Sequence, residues 1–339
     1  MYNSYFFFSY PLSDALKDAK NSYLGVKTKT TMKRLYHFCI TCHDEVLFRD
    51  AEDIRNITNI LALESYACGV ELWADAIMST HLHGVAFAEE GRMILLCQRL
   101  KMRMTKYHRN RHHGMGPLFD AGYFLLPLDG NNHILAALSY VLRNGLHHAQ
   151  SATPFGYPHC SANHLFRKDL GKDPFAPAIT SRPEIARYLP RRSDFPDQFA
   201  MNRDGMLLRS SFENLQMVEH YYRTPRCFDY YMSRLSGEEW QREQRQDPVV
   251  DKPVTLELLE PMNPNEPIAR MLASEKGHNY SASRLSDQDV CRIIDEEYVP
   301  GYHADSVYRL AHEQRLHIGE DIARRFHISP TQLRRCLAL

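Results

Sequence analysis

Met78-Ser79-Thr80-His81-Leu82-His83-Gly84-Val85-Ala86-Phe87 sets two histidines at i and i+2 in a run that reads as strand. Strand side chains alternate between faces, so His81 and His83 leave the same face, roughly 7 Å apart at the backbone, and can converge on one cation. Among 18 histidines in 339 residues, about one such pair arises by chance. Alone, the pair reads as half-buried strand histidines, and the flanking segments decide more. Leu35 to Thr41 is aromatic and β-branched, a strand. Positions 53–68 carry Ile54, Ile57, Ile60, Leu61 and Leu63, an amphipathic helix with Asp near its start. Positions 71–87 read as two short strands turning near Ser79 and Thr80. A helix over 93–108, a strand over 118–128 and a helix over 133–148 follow. The order β-α-β-β-α-β-α predicts an α+β fold. The expected form is a ferredoxin-like, split βαβ antiparallel sheet with helices on one face, followed by a mainly helical C-terminal region.

Downstream, Leu138-Ser139-Tyr140-Val141-Leu142-Arg143-Asn144 puts Tyr140 and Asn144 at i and i+4 on one helix face. If that helix packs over the histidine strand, a phenol, an amide oxygen and two imidazoles share one cavity. Such a set suits DNA cleavage by a tyrosine: a metal held by His81, His83 and a third oxygen ligand polarises the scissile phosphate, and the phenol oxygen attacks it. With an ordinary pKa near 10, only about 0.1% of a tyrosine is phenolate at pH 7, so the reaction depends on the metal and on positioning.

Four runs together bring a family into view: Met78 to Val85, Leu100-Lys101-Met102-Arg103-Met104-Thr105-Lys106-Tyr107, Gly116-Pro117-Leu118-Phe119-Asp120, and Ser139 to Asn144. In order and spacing they resemble the REP-associated tyrosine transposases, relatives of the single-tyrosine insertion-sequence transposases in the HUH endonuclease superfamily. Thr153 to Asn163 is similar to that family's closing tyrosine-proline stretch. The resemblance covers about residues 34–166. It implies His81 and His83 as metal ligands, Asn144 as the third ligand and Tyr140 as the nucleophile. Gly145 stands where relatives usually have proline, and His147-His148 lies near a usual basic position, so either histidine is an alternative or additional ligand.

Other tyrosines weigh less. Tyr107 reads as a DNA-stacking or packing residue, and Tyr123 as a strand core residue. Lys101, Arg103, Lys106, Arg109 and Arg111 form a stretch with no acidic residue. Its place directly after the histidine strand points to phosphate contact, with Tyr107 as a stacking platform. A second basic element closes the sequence. From Gly319, Ile322, Ala323, Phe326, Ile328, Leu333 and Cys336 fall at the core positions of a helix-turn-helix, with His327 at the usual turn glycine. Ser329, Pro330 and Gln332 open its second helix as N-cap, N1 proline and closing residue of a capping box. Thr331, Gln332, Arg334 and Arg335 would face a groove or the DNA backbone. A helical hairpin packed onto the rest of the protein is the alternative.

The 41 basic residues balance 41 acidic ones, so any nucleic-acid surface is local. No run of 18 apolar residues is present, which argues against a membrane span. Tyr5-Phe6-Phe7-Phe8-Ser9-Tyr10 lacks a secretory leader's basic start and cleavage site. Eight scattered cysteines suit reduced thiols in a cytoplasm, and Cys39-x-x-Cys42 reads as strand packing. The expected organisation is an arm over 1–33, a catalytic domain over 34–166, a proline-punctuated linker and helical region over 167–285, and a helical region over 286–339 that opens with a Ser286 to Asp289 capping box.

The function this predicts is a transposase-like, metal-dependent single-stranded DNA endonuclease and strand transferase. It would use Mg²⁺ or Mn²⁺ and cut near hairpins through a 5′-phosphotyrosine. A DNA-binding regulator without catalysis and a hydrolytic metallonuclease are the alternatives. The partner is a single-stranded hairpin or palindromic DNA. The resemblance admits both monomer and homodimer.

Overall fold

The computed structural model describes residues 32–42, 45–114, 123–148, 150–190, 193–233, 237–249, 252–259 and 285–339. Expectations for positions 1–31, 116–122 and 261–284 lie outside the described residues. The fold is α+β, around a four-stranded antiparallel sheet.

Its elements follow the chain as β1 Arg34–Thr41, α1 Ala51–Cys68, β2 Glu71–Ile77, β3 His81–Ala88, α2 Glu90–His112, β4 Phe124–Leu128 and α3 Gly130–Leu142. The strands lie in the order β2-β3-β1-β4. Local chemistry sets several boundaries. Asp50 caps α1 by accepting from the Asp53 amide at 3.0 Å, and Gly69 ends it at φ +64°. Gly84 brings strand and ring together, since a Cβ there would lie 2.5 Å from the Phe38 ring.

Alternation sorts the sheet into two apolar faces. Tyr36, Phe38, Ile40, Leu82 and Ala86 pack with Ile54, Ile57 and Leu61 of α1 and Leu96 and Leu100 of α2. Leu35, Val85 and Leu128 face the other way, against Ala137, Leu138 and Val141 of α3. The expectation of helices on one face is therefore corrected: α3 covers the second face. The reason lies in its sequence, where Ala136, Ala137, Leu138, Tyr140 and Val141 make a broad apolar surface that needs a sheet face of its own.

That face is extended by Val218 and Tyr222 of α5 Leu215–Tyr222 and by Phe228 and Met232 of α6 Pro225–Met232; α5 and α6 make part of the helical stretch expected over 197–245. The proline-punctuated segment is no bare tether. Ile179, Ile185, Phe199 and Met201 pack on Ala62 and Leu63 of α1, while Asn59 accepts from the Leu207 amide and donates to the Gly205 carbonyl, each at 2.8 Å. Buried Arg209 adds a charged tie to β2, with Nη2 donating to Asp75 Oδ2 at 2.9 Å. Burial pushes the Asp75 carboxyl up, but the charge and hydrogen bond of Arg209 hold it below the usual carboxylate range.

The C-terminal region opens with α7 Asp287–Ile293 and the expected Ser286–Asp289 capping box, and it closes with the hairpin of α8 His312–Phe326 and α9 Pro330–Leu337. Ser329 is the N-cap of α9 and His327 takes a left-handed φ of +54° at the turn. This region docks on the sheet domain. Buried Arg49 pairs with Asp295 at 2.9 Å and donates to the Cys336 carbonyl, and Ser79 in the β2–β3 turn donates to Asp287 at 2.7 Å. All eight cysteines are free thiols. Among the described residues no helix is long and apolar enough to cross a membrane.

Candidate functional site

His81 and His83 stand on the α3 side of the sheet, and their rings converge to 4.8 Å between centroids. The expected juxtaposition with α3 is present: the Tyr140 ring stands edge-on to His83 at 5.3 Å and 87°. The helix over 133–148 is two pieces, because α3 ends at Leu142, Arg143 takes φ −89° and ψ 0°, and a turn α4 Asn144–His147 follows. Asn144 nonetheless stays under Tyr140, with Nδ2 donating to the Tyr140 carbonyl at 3.0 Å and the Val141 carbonyl at 3.3 Å. Two carbonyls demand the NH₂ group on that side, so Oδ1 points the other way. Among the described residues it has no hydrogen-bond partner, although Asn144 is only 2% exposed. The Nε2 of His83, in a residue 0% exposed, is in the same position.

Such buried polar atoms are costly unless something meets them. Burial first, then the neighbouring His81, His37 and His148, push His83 well below the usual imidazole range, which keeps the ring neutral as a ligand must be. An amide oxygen and neutral imidazole nitrogens suit a divalent cation of intermediate hardness. No group of three or more His, Cys, Asp or Glu is arranged for a metal among the described residues.

Two further histidines adjoin this pair. The half-buried His148 places its ring 5.5 Å from that of His81. His37, which the sequence reading passed over, lies on β1 with its Nε2 3.2 Å from His83 Nδ1 and its ring stacked at 20°. Its signal was its alternation with Tyr36 and Phe38, which puts it on the histidine face once β1 pairs with β3.

The other tyrosines of the domain have different surroundings. Tyr157 donates to the Ile77 carbonyl at 2.7 Å, and Tyr107 donates to Asp53 at 3.0 Å; burial raises the pKa of both above the ordinary phenol value. Tyr123 packs on the α1–α2 face. Gly145 is explained by Tyr157, whose Cβ would lie 2.3 Å from a Cβ at that position.

The basic residues of α2 do not form one open surface. The helix packs on the sheet face opposite the histidines, and its partners are acids of α1 and of the α1 N-cap. Arg103 pairs with Glu64 at 2.9 Å, and Arg111 pairs with Asp50 at 2.6 Å and also with Asp53. Lys101 is half-buried, while Lys106 and Arg109 are exposed. At the C-terminus the reading of a four-residue groove surface is corrected in the same way. Gln332 is buried and donates to the Leu285 carbonyl at 3.0 Å instead of closing the capping box, and Arg335 pairs with Asp287 at 3.2 Å. Thr331 and Arg334 are exposed.

No family model matches the chain, and no curated protein matches it. A solved structure of a REP-associated tyrosine transposase bound to a REP hairpin shows a weak likeness, with a TM-score of 0.33 and 12% sequence identity. The likeness covers 51% of this chain and 99% of the transposase chain.

Proposed function

We propose that this protein is a transposase-like, metal-dependent single-stranded DNA endonuclease and strand transferase, with Tyr140 as nucleophile. One observation carries the reading: Tyr140 meets His83 edge-on beside His81, while His83 Nε2 and Asn144 Oδ1 are buried with no hydrogen-bond partner among the described residues. The four-run resemblance to the REP-associated tyrosine transposases names those same residues. We also read the sheet as the ferredoxin-like, split βαβ kind, a reading supported by the order β2-β3-β1-β4 and the antiparallel pairing of every neighbour. The catalytic unit in this reading spans about 34–166.

A Mg²⁺ or Mn²⁺ ion held by His81, His83 and Asn144 would supply charge neutralisation at the scissile phosphate. The side chains supply the rest. Tyr140 Oη forms a bond to the 5′-phosphorus as the bond to the 3′-oxygen breaks, and the phenol proton is balanced by the proton gained on the departing 3′-OH. One phosphodiester replaces another, so rejoining to a new 3′-OH needs no nucleotide cofactor. Tyr140 is only 3% exposed and His81 6%, so DNA entry requires covering side chains to move aside. The DNA is a hairpin-bearing single strand in this reading, with Lys101, Lys106, Arg109, Thr331 and Arg334 as phosphate contacts.

The test mixes the protein with a pool of labelled hairpin oligonucleotides, with Mn²⁺ or with chelator, on a denaturing gel. A Mn²⁺-dependent protein–DNA band is expected. Cleavage without that band would favour a hydrolytic nuclease, and binding without cleavage a regulator.

A further inference from the structure

His37 on β1 pairs in register with Val85, which makes His83 its diagonal neighbour across the two strands, within reach of a long ring. Both residues are 0% exposed, with His37 Nε2 3.2 Å from His83 Nδ1 and the rings stacked 5.3 Å apart. Among the described residues, His37 Nδ1 and His83 Nε2 have no hydrogen-bond partner. Between two neutral rings only one proton can lie on the line joining them. If His37 donates it, His83 carries its own proton on Nε2 and has no lone pair there for a cation. If His83 donates from Nδ1, its Nε2 lone pair is available. Either arrangement leaves one buried N–H and one buried lone pair unmatched. The two are therefore closely balanced, and the group that meets His83 Nε2 decides between them.

We infer that His37 is a positioning residue for His83: it accepts the Nδ1 proton and holds the ring by stacking, so that Nε2 faces the cation. The inference rests on the cation-holding reading proposed above. It assigns to an imidazole the part that a carboxylate or carbonyl commonly plays behind a metal-bound histidine. Thr80 Oγ1, 3.0 Å from His81 Nδ1, occupies the corresponding station behind His81.

The full-length protein and its His37→Phe, His37→Gln and His83→Ala variants are titrated with Mn²⁺ by calorimetry, with circular dichroism as the check on folding. His37→Phe keeps the ring and removes the acceptor, and is expected to weaken Mn²⁺ binding about 10- to 100-fold. His37→Gln restores an acceptor and is expected to recover most of that loss. In the unsubstituted protein loaded with diamagnetic Zn²⁺, ¹⁵N imidazole shifts are expected to show the His83 proton on Nδ1, an outcome that needs no variant to fold. Unchanged affinity in His37→Phe alongside lost affinity in His83→Ala would overturn the role of His37 alone, as would a proton on His83 Nε2 in the Zn²⁺ form. No Mn²⁺ binding by the unsubstituted protein, or equal binding by His83→Ala, would overturn the cation-holding reading and this inference with it.

Discussion

The Tyr140 and His83 rings stand perpendicular in a T-shaped contact, at 5.3 Å between centroids and 87°, across the interface between α3 and β3. An edge-to-face contact of this kind is worth about 0.5–1.5 kcal/mol beyond the area it buries. It also fixes the phenol beside the two strand histidines. Both residues sit on regular elements of the core, and preorganisation of that kind is what a positioned nucleophile requires.

Asn144 tests the oxygen side of the proposed cation site. Its Nδ2 is held by the Tyr140 and Val141 carbonyls, so Asn144→Leu removes one inward oxygen with little change in volume. Mn²⁺ affinity is expected to fall about tenfold or more, equivalent to ~1.4 kcal/mol. Calorimetry on the folded variant checks this, and an unchanged affinity would exclude the amide as a ligand.

Acid should weaken the fold through Asp53. Burial raises its carboxyl pKa, but the hydrogen bond and charge of His112, with Arg111 and the Arg49 amide, bring it down to about 2. A folded pKa below the unfolded 3.8 means the contribution is complete above that value. It is lost as pH falls through about 4 to 2, and amounts to roughly 2 kcal/mol. Urea unfolding between pH 5 and 2.5 should show a smaller loss of stability in Asp53→Asn than in the unsubstituted protein. Parallel losses in the two would contradict the assignment.

Arg209 and Asp75 are both 0% exposed at the side chain. Removing one partner strands the other charge in the core, at a cost of about 3–5 kcal/mol. Arg209→Met should therefore shift the urea midpoint strongly downward, while Arg209→Met combined with Asp75→Leu should recover part of the loss. No recovery in the double variant would mean that the pair is not the source of the effect.

Gly145 is a packing requirement of Tyr157. A methyl group there needs space held by the Tyr157 Cβ and ring, so Gly145→Ala is expected to cost about 1–3 kcal/mol by overpacking. A lower urea midpoint with an unchanged slope is the expected outcome. An unchanged midpoint would show that the turn after α3 shifts without strain.

Features written in neighbouring residues were legible in the sequence. The Ser286–Asp289 box and the Ser329–Pro330 start of α9 each depend on contacts three residues apart, whereas the Asp50 cap places the start of α1 earlier than the expected position 53. The histidine pair and the Tyr140–Asn144 spacing were legible for the same reason, since strand and helix periods set them. Pairings between elements were not. Arg103 and Arg111 read as DNA contacts because their partners Glu64, Asp50 and Asp53 lie on another helix. Gln332 and Arg335 read as groove contacts because Leu285 and Asp287 lie nearly fifty positions away. His37 was missed because its contact with His83 depends on the β1–β3 register, and helices on both faces were missed because the β-α order does not say which face α3 takes.

The proposed nucleophile is tested most directly by mapping the covalent attachment. The protein is incubated with Mn²⁺ and a hairpin pool, the product is digested with trypsin and nuclease, and the nucleotide-bearing peptide is sequenced by mass spectrometry beside a Tyr140→Phe control. The account predicts a 5′-phosphonucleotide on Tyr140 and no adduct in the folded Tyr140→Phe protein. An adduct on Tyr107, Tyr123 or Tyr157, or one that persists in Tyr140→Phe, would contradict it.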